Sequence, residues 1–511
     1  MPIITTATMK KLLISGMFWV LLANLLVKPL WLLGIEVGVQ NAVGTTMYGI
    51  YFGIFNITYI FNILLDLGIT NFNTRNIAQY PHLIRKHLSG ILSIKLLLLM
   101  LYMVVTFSIG LLRGFDAFQF KLLAIISINQ FLNSLILYLR SNFEGLLLFK
   151  WDSLLSVLDR LVMVVVCGML LWGPEGMRLG QFSIMHFAGA QTVAYLLTAI
   201  IALVVLARKS GLRRLHFNLP FAMVIIRRSL PFALLVLLMA SYNRLDPILL
   251  QVLSPDGPGN YNAGVYAGAF RLLDALTMVA YLVSVPLLPI FSKLTRPDGS
   301  QPHHVSPRSL ALENDRNNNP NELSDMLRMV FGMMTVYSLT AACVLSSLGN
   351  DLMTLFYADN IEDYADVFRI LVFCIIPISM TYVFGTLLTA AGKLRTLNIF
   401  AASALLLNIV VNLVCIPLWG ARGSAIAGLT AQSFMAVAQI VAVLLLFNIK
   451  LKTSYIIKVS LFALSVLACT LYMPHLVWWL SILVEGSISI TMAILLKLID
   501  IKDMIKLMKS E

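Results

Sequence analysis

Fourteen apolar stretches separated by short polar connections run along the chain, at 12–35, 46–69, 88–112, 119–140, 152–172, 183–206, 229–252, 262–290, 325–349, 365–391, 396–417, 423–447, 455–473 and 477–498. About 20 apolar residues cross the hydrocarbon core of a bilayer as a helix, so each stretch is long enough to span it. The pattern predicts an all-α integral membrane protein with about 14 transmembrane helices. Composition points the same way, since 59% hydrophobic and 12% charged residues lie outside the range of soluble globular chains.

The polar positions add orientation. With the amino terminus in the cytoplasm, the inner loops and helix ends hold 26 Lys and Arg, from Lys10 and Lys11 to Lys506 and Lys509. The outer loops hold four, Arg113, Lys121, Arg178 and Arg422. A helix missed or added would scramble every later loop, so this alternation predicts that both termini are cytoplasmic. The net charge of +13 then reflects orientation and attraction to anionic lipids. The basic residues are too dispersed for a nucleic-acid stripe.

The first stretch is too long and lacks the small-residue cleavage pattern of a signal peptide, so it is expected to stay as helix 1. Cys167, Cys343, Cys374, Cys415 and Cys469 all fall inside predicted helices. Their odd count and lack of metal spacing argue for core residues rather than disulfides or a metal site. The stretch 293–324, rich in Pro, Asn and Ser, reads as a flexible cytoplasmic loop in which His303 and His304 have no assigned role. In the basic connection 207–228, Leu219, Phe221 and Val224 suit a short surface-lying helix, and 350–363 is the longest outer loop. Tyr48-Gly49-Ile50-Tyr51-Phe52-Gly53-Ile54-Phe55 matches Ala263-Gly264-Val265-Tyr266-Ala267-Gly268-Ala269-Phe270 in Gly, Tyr, Gly and Phe at one offset. Both copies open an even-numbered helix after an outer turn, which fits two homologous six-helix halves; small-residue packing gives the same spacing.

Charges within the stretches carry the functional signal. Lys95, Arg369 and Lys458 lie near helix ends, where long cationic side chains snorkel to the interface. Arg271 falls near the middle of helix 8, Lys28 and Arg244 about 6 Å from the centres of helices 1 and 7, and Arg160 somewhat nearer the cytoplasm. At about 2.5–3.5 kcal/mol for each mid-membrane charge, these four are expected to face a wet interior rather than lipid. Asp66, Asp159, Asp246 and Asp274 are the available charge partners or ion-coupling groups, with Asp274 sharing a helix face with Arg271. Pro247 leaves the Asn243 carbonyl unbonded and predicts a bend in helix 7 beside Arg244 and Asp246. Buried salt bridges would explain any one pair; a cavity lined by four cations is what an anionic cargo requires. No phosphate-binding Gly-rich loop, paired-His motif or soluble catalytic domain is present, so neither an enzyme nor a cofactor is expected.

Two blocks carry a family resemblance. GTTMYGIYFGIFNITYIFNILLDLGITNFNTRNIAQ (44–79) and GTLLTAAGKLRTLNIFAASALLLNIVVNLVCIPLWGARGSAIAGLTAQ (385–432), with NRLDPILL (243–250) and AGVYAGAFRLLDAL (263–276) between them, resemble the Wzx-type polysaccharide flippases of the multidrug/oligosaccharidyl-lipid/polysaccharide exporter superfamily. The resemblance spans the chain. It implies a V-shaped, MATE-like pair of six-helix lobes, 1–211 and 212–448, with helices 13 and 14 and a tail in 449–511. It implies alternating-access transfer of an undecaprenyl-pyrophosphate-linked oligosaccharide, an O-antigen, capsule or exopolysaccharide repeat, from the inner to the outer leaflet of a bacterial or archaeal plasma membrane. Lys28, Arg244, Arg271 and Arg160 would line the cavity, and polysaccharide polymerase machinery would be a partner. Three other readings stay open: a lipid II flippase, a MATE-type cation or drug antiporter, which would favour carboxylates in the cavity, and a membrane polymerase or ligase, which would need a large outer loop.

Overall fold

The apolar stretches fold as helices because a backbone in hydrocarbon must satisfy its own hydrogen bonds. The computed structural model describes residues 27–498 except 28, 71–72, 75–76, 78–83, 147, 174–181, 211–236, 255–258, 285–286, 288–290, 292–319, 450–452 and 473–476. Lys28, most of stretch 12–35, the surface piece at 219–224 and the loop as far as 319 lie outside the described residues.

The chain divides into two units, Met1–Arg271 and Leu272–Glu511. The first holds α1 (Leu30–Val43), α2 (Thr45–Asp66), α3 (Ile84–Leu112), α4 (Ala117–Gly145), α5 (Phe149–Trp172), α6 (Ile184–Ser210), α7 (Asp246–Leu253) and the first half of α8 (Gly259–Ser284). The second holds the rest of α8, then α9 (Pro320–Ser347), α10 (Gly349–Phe356), α11 (Ile361–Ala390), α12 (Leu394–Leu446), α13 (Thr453–Tyr472) and α14 (Trp478–Leu495). Eleven helices among the described residues are long and apolar enough to cross a membrane. One of them, α12, takes in two predicted spans: Gly420 breaks it with φ 53° and ψ −126°, a conformation open to glycine, three residues after Pro417. The protein is an all-helical, multi-pass membrane protein.

Local chemistry corrects several expected boundaries. α1 runs on to Val43 because Ile35, Val37 and Val39 keep a buried face, and its first seven residues wind as a π-helix. The segment expected as an outer loop at 350–363 is largely helical: α10 buries Leu352 and Met353 and carries Asp351 in its first turn, where the helix dipole favours an anion. α9 begins at Pro320, so residues 320–324 belong to a helix rather than to the polar loop. The bend expected in helix 7 is present, since residues 237–244 are helical and α7 starts afresh at Asp246 with Pro247 in its first turn.

Within the first unit, Ile69, Leu88, Ile94, Tyr138, Phe143, Leu155 and Leu206 pack α3 to α6 and the end of α2 into one core. The echo segments meet there too: a side chain at Gly49 would strike the Asn260 carbonyl, and one at Gly264 the Thr45 carbonyl. Both glycines therefore serve close helix approach, whatever the origin of the echo. In the second unit Val336, Phe462, Val466, Ala493 and Leu498 join α9 to α13 and α14.

Candidate functional site

Inside the first unit α2, α4, α5, α6 and Arg244 enclose a polar cavity of about 410 Å³. α4 supplies Asn129, Gln130, Asn133 and Arg140, whose spacing places them along one side of the helix. α5 adds Asp159 and Arg160, α6 adds Gln191 and Tyr195, and α2 adds Phe55 and Tyr59. Arg160 and Arg244, both expected to line a cavity, are brought together on this one. Arg140, expected at an inner helix end, lines it as well.

Each guanidinium is anchored differently. Arg140 Nε donates to Asp152 Oδ1 at 2.7 Å. Arg160 reaches back to the neighbouring Asp159 through Nη1 alone, at 3.2 Å, and is 34% exposed, so most of its five N–H groups remain for other acceptors. Arg244 lies against two aromatic faces, 5.2 Å from the Tyr59 ring centre and 5.5 Å from Phe270, an arrangement worth about 0.5–2 kcal/mol. The amides are positioned by one another. Asn129 donates to Ala188 O and Gln191 Oε1 and accepts from Thr192, while Asn62 donates to Gln130 Oε1 at 2.9 Å. A polar cavity with three guanidiniums and one carboxylate on its wall can replace water around the oxygens of a multivalent anion, while its amides and Tyr195 suit hydroxyl-bearing groups.

Arg271 is not among the lining residues. It is 2% exposed, its Nε donates to Glu36 Oε2 at 3.1 Å, and its guanidinium carbon sits 4.1 Å from the Tyr48 ring centre. Glu36 also accepts from Trp31 Nε1 at 3.0 Å, and Trp31 stacks on Phe187. Sequence spacing missed Glu36 as a partner of this arginine. The signal was the apolar pattern continuing past position 36, which puts that carboxylate inside α1. Of the other expected carboxylates, Asp159 meets Arg160 and Asp246 accepts from the Tyr266 hydroxyl at 2.9 Å. Asp66 meets Lys95 at 2.9 Å, and Asp274 belongs to the second unit. Lys95 corrects the snorkelling expectation: it is 1% exposed and donates to Asp66, Leu65 O, Ser134 O and Ser134 Oγ. All five cysteines are free thiols, and no cluster of metal-ligating side chains occurs among the described residues.

Arg271 is buried and Glu36 largely so, and removing either breaks the ion pair between them. Arg271→Ala and Glu36→Ala are each expected to cost about 3–5 kcal/mol. The double variant should cost less than the sum, which thermal unfolding of the purified protein would read as a coupling energy.

The first unit is thus a bundle of apolar, membrane-length helices around a cation-rich cavity. Residues 13–295, more than half of the chain, match the family model described as polysaccharide biosynthesis protein, and residues 317–414 match the MatE model. The chain belongs to the polysaccharide biosynthesis protein family and, with it, to the multidrug/oligosaccharidyl-lipid/polysaccharide exporter superfamily. No curated protein matches it in sequence. Among solved structures it is similar to a lipid II flippase MurJ in an inward closed conformation, with TM-score 0.67 and 13% identity over 98% of this chain and 100% of that one. It is also similar to an inward-facing multidrug resistance MATE family transporter, with TM-score 0.60 and 14% identity over 84% of this chain and 98% of that one. A third similar structure is a superfamily transporter from Pyrococcus furiosus described as having a binding pocket of reverse polarity, with TM-score 0.56 and 14% identity over 86% and 96%. At these identities the likeness concerns the fold.

Proposed function

We propose that this chain is a Wzx-type flippase, which carries an undecaprenyl-pyrophosphate-linked oligosaccharide from the inner to the outer leaflet of a prokaryotic plasma membrane by alternating access. The observation that carries the reading is the cavity in the first unit, where Arg140, Arg160 and Arg244 share a wall with amides and Tyr195. A pyrophosphate cannot enter hydrocarbon bare, and guanidinium forks replace its hydration while the amides meet sugar hydroxyls. A drug or cation antiporter would call for the opposite sign of charge on that wall.

Arg160 and Arg244 are the headgroup ligands in this account, with Arg140 beside them; Lys28, outside the described residues, is assigned to the same headgroup. Arg271 acts from behind, fixing α1 against α8 through Glu36. The carboxylates hold cations in place: Asp159 for Arg160, Asp66 for Lys95, and Asp246 and Asp274 within α7 and α8. Both termini face the cytoplasm, anionic lipids surround the basic inner ends, and the polymerase that consumes the exported repeat is the functional partner.

Deletion of the gene in its host tests the reading. Lipid-linked oligosaccharide is expected to accumulate on the cytoplasmic leaflet while surface polysaccharide disappears. Unchanged surface polysaccharide would contradict the proposal, and accumulation of a peptidoglycan precursor in its place would transfer the activity to lipid II.

A further inference from the structure

α14 buries one stripe, Ser481, Glu485, Ser489 and Ala493, at four-residue spacing against α9 and α13. Three of the four are small residues of the kind that let membrane helices approach closely. The fourth is a carboxylic acid, seven residues from one end of α14 and ten from the other, or about 10 and 15 Å of helix rise. Glu485 is 4% exposed, and its Oε2 has neither accessible surface nor a hydrogen-bond partner. Ser489, one turn on, donates its hydroxyl to the Glu485 backbone carbonyl, so it serves the helix and not the carboxyl group. The hydroxyl of Thr340 on α9 is likewise buried without a partner, one turn before Cys343.

The titratable groups near enough to feel Glu485 are the thiols of Cys343 on α9 and Cys469 on α13, and no Lys, Arg or His among the described residues pairs with it. Among the described residues a charge in that position would have no counter-ion and no donor, at a cost of several kcal/mol by the scale of membrane-buried charges. The neutral acid has no such cost. Packing does not require the group either, since a Ser or Ala at the same spacing would close the stripe.

We propose that Glu485 is a membrane-embedded proton-binding site, which holds its proton in the packed arrangement of α9, α13 and α14 and releases it when movement of α14 admits water. Proton movement would then accompany the transport cycle. That coupling rests on the flippase reading; the proton site itself does not.

The test is an infrared comparison of the full-length protein and Glu485→Gln, an isostere of the protonated side chain that should insert normally. The wild type is expected to show a carboxylic-acid C=O band that the variant lacks, and the band should fall about tenfold per pH unit above its midpoint. In proteoliposomes the wild type should transport faster under an imposed pH gradient, and Glu485→Gln should lose that acceleration. The absence of the band, or a band unchanged from acid to alkaline pH, would overturn the proposal. Loss of the band on adding sodium at fixed pH would assign the carboxylate to a metal cation and overturn it as well. Failure of the wild type to move cargo at all would count against the flippase reading and leave the infrared result standing.

Discussion

Cells carrying Arg160→Ala together with Arg244→Ala are expected to lose surface polysaccharide while the protein accumulates in the membrane in normal amount. Hydrogen bonds from a charged donor are worth about 1.5–3 kcal/mol each, so two lost guanidiniums remove about 3–6 kcal/mol of headgroup binding, or more than about 100-fold in affinity. The fold should survive. Arg160 is one-third exposed and reaches back to its own neighbour Asp159, and Arg244 leans on the rings of Tyr59 and Phe270. Arg160→Lys and Arg244→Lys should be intermediate, because Lys keeps the charge and loses the planar fork. Surface polysaccharide measured beside membrane protein level checks this; loss of both together would mean that the arginines hold the fold and not the cargo.

The largest effect on stability is expected at Lys95. Its ammonium group is wholly buried and serves Asp66, the Leu65 and Ser134 carbonyls and the Ser134 hydroxyl, while its centre lies 5.7 Å from the Tyr138 ring. The Leu65 carbonyl belongs to the last turn of α2, which ends in left-handed Leu67 and Gly68, so a cation there also meets the negative end of the helix. Lys95→Ala removes every one of these bonds at once and leaves Asp66, among the described residues, facing Thr70, with an expected cost of about 3–5 kcal/mol. Thermal unfolding in detergent should show a clear drop in midpoint and lower yield of monodisperse protein. Lys95→Ala with Asp66→Ala should recover part of it, since the stranded carboxylate is gone. A midpoint unchanged in Lys95→Ala would return this residue to the role of an interfacial anchor.

The contrast between Lys95 and Arg244 shows what the sequence could and could not say. Hydrophobic runs located the helices because a bilayer imposes length and apolarity on each span directly. The same runs separated two spans at 418–422, where Gly420 breaks α12, but they hid the helical character of α10, whose amphipathic turns looked like an outer loop. Depth along a helix identified Arg160 and Arg244 as residues that lipid would not accept. Depth says nothing about rotation around the helix axis, and rotation turned Arg271 toward Glu36 and Tyr48 and buried Lys95 against Asp66. Pairing between helices far apart in sequence follows from packing, so Arg271 and Glu36, 235 residues apart, carried no spacing signal. The amides of the cavity were visible only as polar letters in apolar runs. Asn129, Gln130 and Asn133 fall within one turn of α4, and that clustering was the clue to a wet helix face.

Translocation by purified protein would separate a guanidinium-lined headgroup site from a structural role for the same arginines. Proteoliposomes would contain undecaprenyl pyrophosphate bearing a fluorescent oligosaccharide in both leaflets, and a membrane-impermeant quencher would report the fraction exposed outside. Wild-type protein is expected to bring the protected fraction to the outer surface with time, whereas the Arg160→Ala, Arg244→Ala double variant should leave it protected. Equal translocation by wild type and double variant would contradict a guanidinium-lined headgroup site, and no translocation by the wild type would contradict the flippase reading itself.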